Sequence, residues 1–160
     1  KRRKDSCQLG QESLGQRLPR RILGLTNVID QVISGLAGDG VISLQGLRAT
    51  PIRSGYRRYF DPIPIMFPRQ NFWLEYNLDF WKQYEHPVWL GGHSEYRRLS
   101  RRGFEDYERA VPKSILHDNQ DEVMFRISIP LGAEIDEVVR NITFQIKEIL
   151  DRFQALKVNQ

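Results

Sequence analysis

The sequence predicts an α+β (or α/β) domain, a mixed β-sheet with three helices packed on it. Three observations lead there. Residues 71–81 alternate in the manner of a strand. Residues 18–37 and 134–156 repeat apolar side chains at helical spacing. The other apolar runs are short, rich in β-branched and aromatic residues, and bounded by Gly or Pro. The expected order is α-β-β-β-β-α-β-α, in a single domain over residues 16–157.

Residues 1–15 open with Lys1-Arg2-Arg3-Lys4 and are broken by Gly10 and Gly15, which predicts a flexible basic arm or linker. The first residue is Lys1 rather than Met, so we expect a piece of something longer. Leu18, Ile22, Leu25, Ile29, Val32, Ile33 and Leu36 mark the first helix, with Pro19 in its first turn and Gly38 and Gly40 at its end. Arg17, Arg20 and Arg21 then sit at the helix N-terminus, where the dipole disfavours cations and a bound anion would be welcome.

Val41 to Leu44 and Gly55 to Phe60 are strand-like, and residues 49–55 have turn chemistry. We prefer an ordinary hairpin at a sheet edge. A winged helix is the other reading, with Arg48, Arg53, Arg57 and Arg58 on the wing. Pro62, Pro64 and Pro68 make 61–69 a connection.

Residues 71–81 form the expected central strand. Phe72, Leu74, Tyr76, Leu78 and Phe80 point to one side, a core face. Trp73, Glu75, Asn77, Asp79 and Trp81 point to the other, a half-exposed polar face between two indoles. Val88 to Gly91 follows as a short strand. Residues 94–111 read as a helix and 113–121 as a loop. Residues 123–129 alternate as a strand, and 134–156 give the last helix, with Glu134, Asp136 and Glu137 at its start and Lys147, Arg152 and Lys157 near its end.

At 160 residues, with 40% hydrophobic and 28% charged, the composition is that of an ordinary globular domain, and no apolar run approaches the roughly 20 residues of a membrane span. The single cysteine, Cys7, excludes an internal disulfide and fits a reducing compartment, which predicts a cytoplasmic protein. Net charge is +4, with arginine clusters at Arg17/Arg20/Arg21, Arg53/Arg57/Arg58 and Arg97/Arg98/Arg101/Arg102. Clustered guanidinium groups suit phosphate oxygens and gain affinity by releasing counterions, so nucleic acid, DNA first, is the expected partner. A solvated basic surface, or arginines paired with the twenty acidic residues, gives the same pattern.

Glu75, Asn77 and Asp79 on one strand face, with Asp61 upstream, are the candidate catalytic residues. Converging carboxylates can hold Mg²⁺ for phosphodiester cleavage, and Mg²⁺ is the one cofactor considered. Without catalysis none is expected. No zinc spacing links His86, His93 and His117, and no phosphate loop is present.

Gly55 to Phe60 (GYRRYF), the FWLEYNLDFWKQYEHPVWL ribbon, and the strand, PLGAEIDEVV and helix of residues 123–150 together resemble the C-terminal half of bacterial proteins of the PD-(D/E)XK nuclease superfamily. The resemblance covers residues 55–155. It implies association with DNA cleavage, in restriction and phage defence. The superfamily site needs (Asp/Glu)-x-Lys, and Glu75-Tyr76-Asn77 carries Asn in place of Lys. The expectation is therefore a nucleic-acid-binding accessory domain, non-catalytic alone and joined to a larger polypeptide or partner subunit. A protein-interaction or oligomerisation module, with Trp73, Trp81 and Trp89 as an exposed patch, is the first alternative. A degenerate Mg²⁺-dependent nuclease is the second.

Overall fold

The computed structural model describes residues 12–64, 72–93 and 122–158. Helix α1 spans Glu12–Gly38, strand β1 Ile42–Ser43, β2 Ala49–Ile52, β3 Gly55–Pro62 and β4 Phe72–Asn77. Helix α2 spans Leu78–Tyr84, β5 Val88–His93, β6 Glu122–Ile127 and α3 Ile135–Val158. The class is α+β. The sheet has six strands in the order β1-β3-β4-β5-β6, with β2 also on β3, and every registered pair is antiparallel. The helix expected at 94–111 and the loop at 113–121 lie outside the described residues.

Helix α1 begins at Glu12, so residues 12–15 belong to it rather than to an arm. Pro19 then falls in the helix interior, where it removes one backbone bond, and not in the first turn. The helix ends where Gly40 adopts φ +69 and Val41 N–H reaches the Leu36 carbonyl at 3.0 Å. Ile29, Val32, Ile33 and Leu36 are fully buried on one face of the sheet. They meet Phe60, Phe72, Leu74, Val88, Leu90 and Ile127 from the strands, and Ile142, Ile146 and Leu150 from α3. Burial of each such side chain contributes roughly 1.5–3 kcal/mol.

The central strand stops earlier than its alternation predicts. Asn77 accepts hydrogen bonds from the backbone N–H of Asp79 (3.0 Å) and Phe80 (3.2 Å), which caps α2. Leu78, Asp79, Phe80 and Trp81 are therefore helical. The face read as half-exposed is a second core. Trp73 and Trp89 are buried with Met124, flanked by Tyr59, Phe80 and Tyr84. Phe80 and Tyr84 of α2 meet the Trp89 ring edge-on at 5.6 and 5.7 Å. The Trp73 indole lies across Gly91 on the neighbouring strand, where an added Cβ would come within 2.1 Å of the ring.

Gly91→Ala is expected to destabilise the protein by about 1–3 kcal/mol or more through overpacking against Trp73. Gly35→Ala, on an open stretch of α1, is expected to stabilise it by about 0.5–1 kcal/mol. Urea denaturation of the two variants checks both signs.

Candidate functional site

Strand alternation sends the adjacent residues Arg57 and Arg58 to opposite faces, and each finds a carboxylate. Arg57 lies opposite Glu75 in the β3–β4 register. Its Nε donates to Glu75 Oε2 at 2.6 Å, and its Nη1 donates to the Tyr59 hydroxyl at 3.1 Å. The guanidinium carbon stands 4.6 Å from the Trp73 ring centroid and 5.7 Å from that of Tyr59. The Glu75 side chain is 0% exposed and that of Arg57 17%. Burial pushes the Glu75 carboxyl above the ordinary carboxylate range, and Arg57 and the Asn77 amide (3.4 Å to Oε1) pull it back only part of the way. Burial works to lower the Arg57 pKa, but Glu75 and Tyr59 outweigh it, and the net direction is up.

On the other face Arg58 Nε lies 3.4 Å from Asp30 Oδ1 on α1, close enough for an ion pair but not aligned as a hydrogen bond. Asp30 Oδ1 also accepts from the Tyr56 hydroxyl at 2.7 Å. Burial, then that carboxylate, pushes the Tyr56 phenol up to about 12. Thr26 Oγ1 donates to the Tyr76 hydroxyl at 3.5 Å, one helical turn earlier on α1.

Arg57 and Arg58 are thus taken up inside the fold, which removes them from the expected arginine surface and from the wing. Arg53 remains exposed in the two-residue turn between β2 and β3. That turn is held: Leu78 N–H donates to the Ser54 carbonyl at 2.8 Å, and the Ser54 hydroxyl donates to Asp79. Arg17, Arg20 and Arg21 are on α1, past its first turn because the helix starts at Glu12. The dipole conflict that a bound anion would have relieved is confined to the first turn and does not reach them. Arg97, Arg98, Arg101 and Arg102 lie outside the described residues.

Three of the candidate catalytic residues, Glu75, Asn77 and Asp79, stay in contact through Asn77, but in structural roles. Glu75 is buried in its ion pair, Asn77 is a helix cap, and Asp79 is exposed on α2 beside Ser54. Asp61 is partly buried on β3, opposite Ser43. Among the described residues no group of three or more His, Cys, Asp or Glu is placed to hold a metal ion. The proposed indole patch does not form either, since Trp73 and Trp89 are buried and only Trp81 is exposed, at 41%.

No family model, characterised protein or solved structure matches this chain. The likeness to the PD-(D/E)XK superfamily accordingly rests on the sequence stretches alone. No helix among the described residues is long and apolar enough to cross a membrane.

The partners Asp30, Tyr56 and Tyr59 were missed in the sequence. The signal was there in part: two adjacent arginines on a strand cannot share a face.

Arg57→Met strands Glu75 without a counter-charge and is expected to cost about 3–5 kcal/mol, whereas Arg57→Met with Glu75→Leu recovers most of it. The single variant raises the folded Glu75 pKa further above its unfolded value. Its stability is therefore greatest in acid and falls as pH rises through the folded value. Urea midpoints near pH 5 and about pH 8 measure this, and a flat profile would contradict it.

Proposed function

We propose that this chain is a nucleic-acid-binding accessory domain that contacts phosphates at one end, where the first half of α1 and the β2–β3 turn lie together. The supporting observation is their common direction. Thr26 and Asp30 tie α1 to Tyr76 and Tyr56, at the end of the sheet where Gly55 pairs with Asn77. Helix residues before Thr26 run on past that end. At about 1.5 Å per residue, positions 17–21 lie roughly 7–14 Å further along the axis. Exposed Arg53 marks the same end.

Charge supports the same reading. Residues 1–23 hold seven Lys or Arg against two Asp or Glu, a balance of +5. Residues 24–160 hold seventeen against eighteen, a balance of −1. The positive charge of the chain therefore belongs to its first part, not to the sheet. Such a partner is bound through its backbone, without base readout, and DNA duplex is the reference ligand. Catalysis is not part of the proposal.

Anisotropy titrations with labelled duplex DNA over a salt series test it. Affinity should fall linearly on a log–log plot, and the triple change of Arg17, Arg20 and Arg21 to Ala should lower the slope by roughly three. Arg53→Ala should lower it by about one. Lys147→Ala, at the opposite end beside Asp39, should leave it unchanged. Salt-independent binding, or none at low ionic strength, would remove the proposal.

A further inference from the structure

The two edges of the sheet are unlike. Edge strand β2 is four residues long, contains Pro51, and stands between exposed Arg48 and Arg53. Proline and flanking charge are what keep an edge from pairing with another chain. Edge strand β6, Glu122-Val123-Met124-Phe125-Arg126-Ile127, has no proline or glycine. Among the described residues it pairs only with β5. Val123, Met124 and Phe125 are anchored in the two cores, at 1%, 2% and 2% exposure, so the strand is held extended. Past Ile127 the edge is closed by α3. Gln145 accepts from the Ser128 N–H at 2.9 Å and donates to the Ser128 carbonyl at 2.8 Å, as a neighbouring strand would.

The stretch of β6 that pairs only with β5 among the described residues carries two charges of opposite sign. Glu122 and Arg126 are both partly exposed and share the sheet face of Trp89 and Met124. Neither is in an ion pair among the described residues.

We propose that β6 pairs with β6 of a second copy of this chain, antiparallel, about a two-fold axis at Met124. In that register Glu122 of each copy faces Arg126 of the other, with Cβ atoms roughly 4.5–5.5 Å apart, and Val123 faces Phe125. The charges select it. A two-residue slip, which moves the axis to Phe125 or Val123, sets Arg126 or Glu122 opposite Met124 and gives up both attractions, and a four-residue slip sets Arg126 or Glu122 against its own copy. Parallel in-register pairing stacks both like pairs. The two-residue slips lose the attractions, and the four-residue slips and parallel pairing also place equal charges side by side, which is unfavourable. The contact is isologous and closes at two copies, joining two sheets into one.

Sedimentation velocity of the whole chain over a dilution series, without nucleic acid, tests this independently of the binding proposal. The expected result is a reversible dimer. Glu122→Arg and Arg126→Glu each raise the dissociation constant roughly tenfold or more, because each replaces two attractions by two repulsions. The double variant E122R/R126E restores the dimer, since the pairs re-form with signs exchanged. Circular dichroism reports whether each variant is folded, and if a single variant is not, the double variant decides. A monomer at every concentration of the unchanged chain, single variants that dimerise as before, or a folded double variant that stays monomeric would each overturn the proposal.

Discussion

A carboxylate buried at the centre of a sheet demands a partner, and most of what distinguishes this fold follows from how Glu75 finds one. Desolvating an isolated carboxylate is far too costly for a domain of ordinary stability. Arg57 answers from the adjacent strand, stacked on Trp73 and held by Tyr59. Both charges lose water, so the pair need not add much net stability. What it adds is register. A one-residue slip of β4 against β3 would send Glu75 to the α1 face and Trp73 with it, leaving the guanidinium alone in an aromatic core.

The same pair explains where the positive charge is not. The densest basic stretch in the sheet is Arg57-Arg58, and both residues are used internally, one under each layer. Among the described residues Arg53 stands exposed at the turn, and in the sequence the excess of positive charge lies in residues 1–23. Asn77 links these regions. It caps α2, steadies Glu75, and starts the helix whose first N–H holds the β2–β3 turn through Ser54. This asparagine is thereby occupied with structural duties at the junction of strand, helix and turn.

Among the described residues the sheet is finished differently at its two sides. Pro51 and the flanking arginines blunt β2, while β6 ends in a balanced pair of charges and a glutamine that substitutes for a strand at Ser128. The phosphate-binding end proposed here and the β6 edge involve different residues, so assembly and binding are separable properties.

By itself the sequence determined the α+β class, the apolar stripes of α1 and α3, and the positions of β3, β4, β5 and β6 to within a few residues. Those depend on local periodicity, which is written in neighbouring residues. It did not determine that residues 78–84 turn helical, because the alternation that begins at Phe72 runs on past Asn77 to Phe80 and hides the helix cap there. Nor did it determine that Ala49–Ile52 is a strand, since a prolyl edge strand has little pattern of its own. Above all it left open whether each arginine and carboxylate faces water or another side chain. That was decided only by tertiary structure, because a charge is neutralised by what lies across a strand or beneath a helix, and those neighbours are 18 residues away for Glu75 and Arg57 and 28 for Arg58 and Asp30.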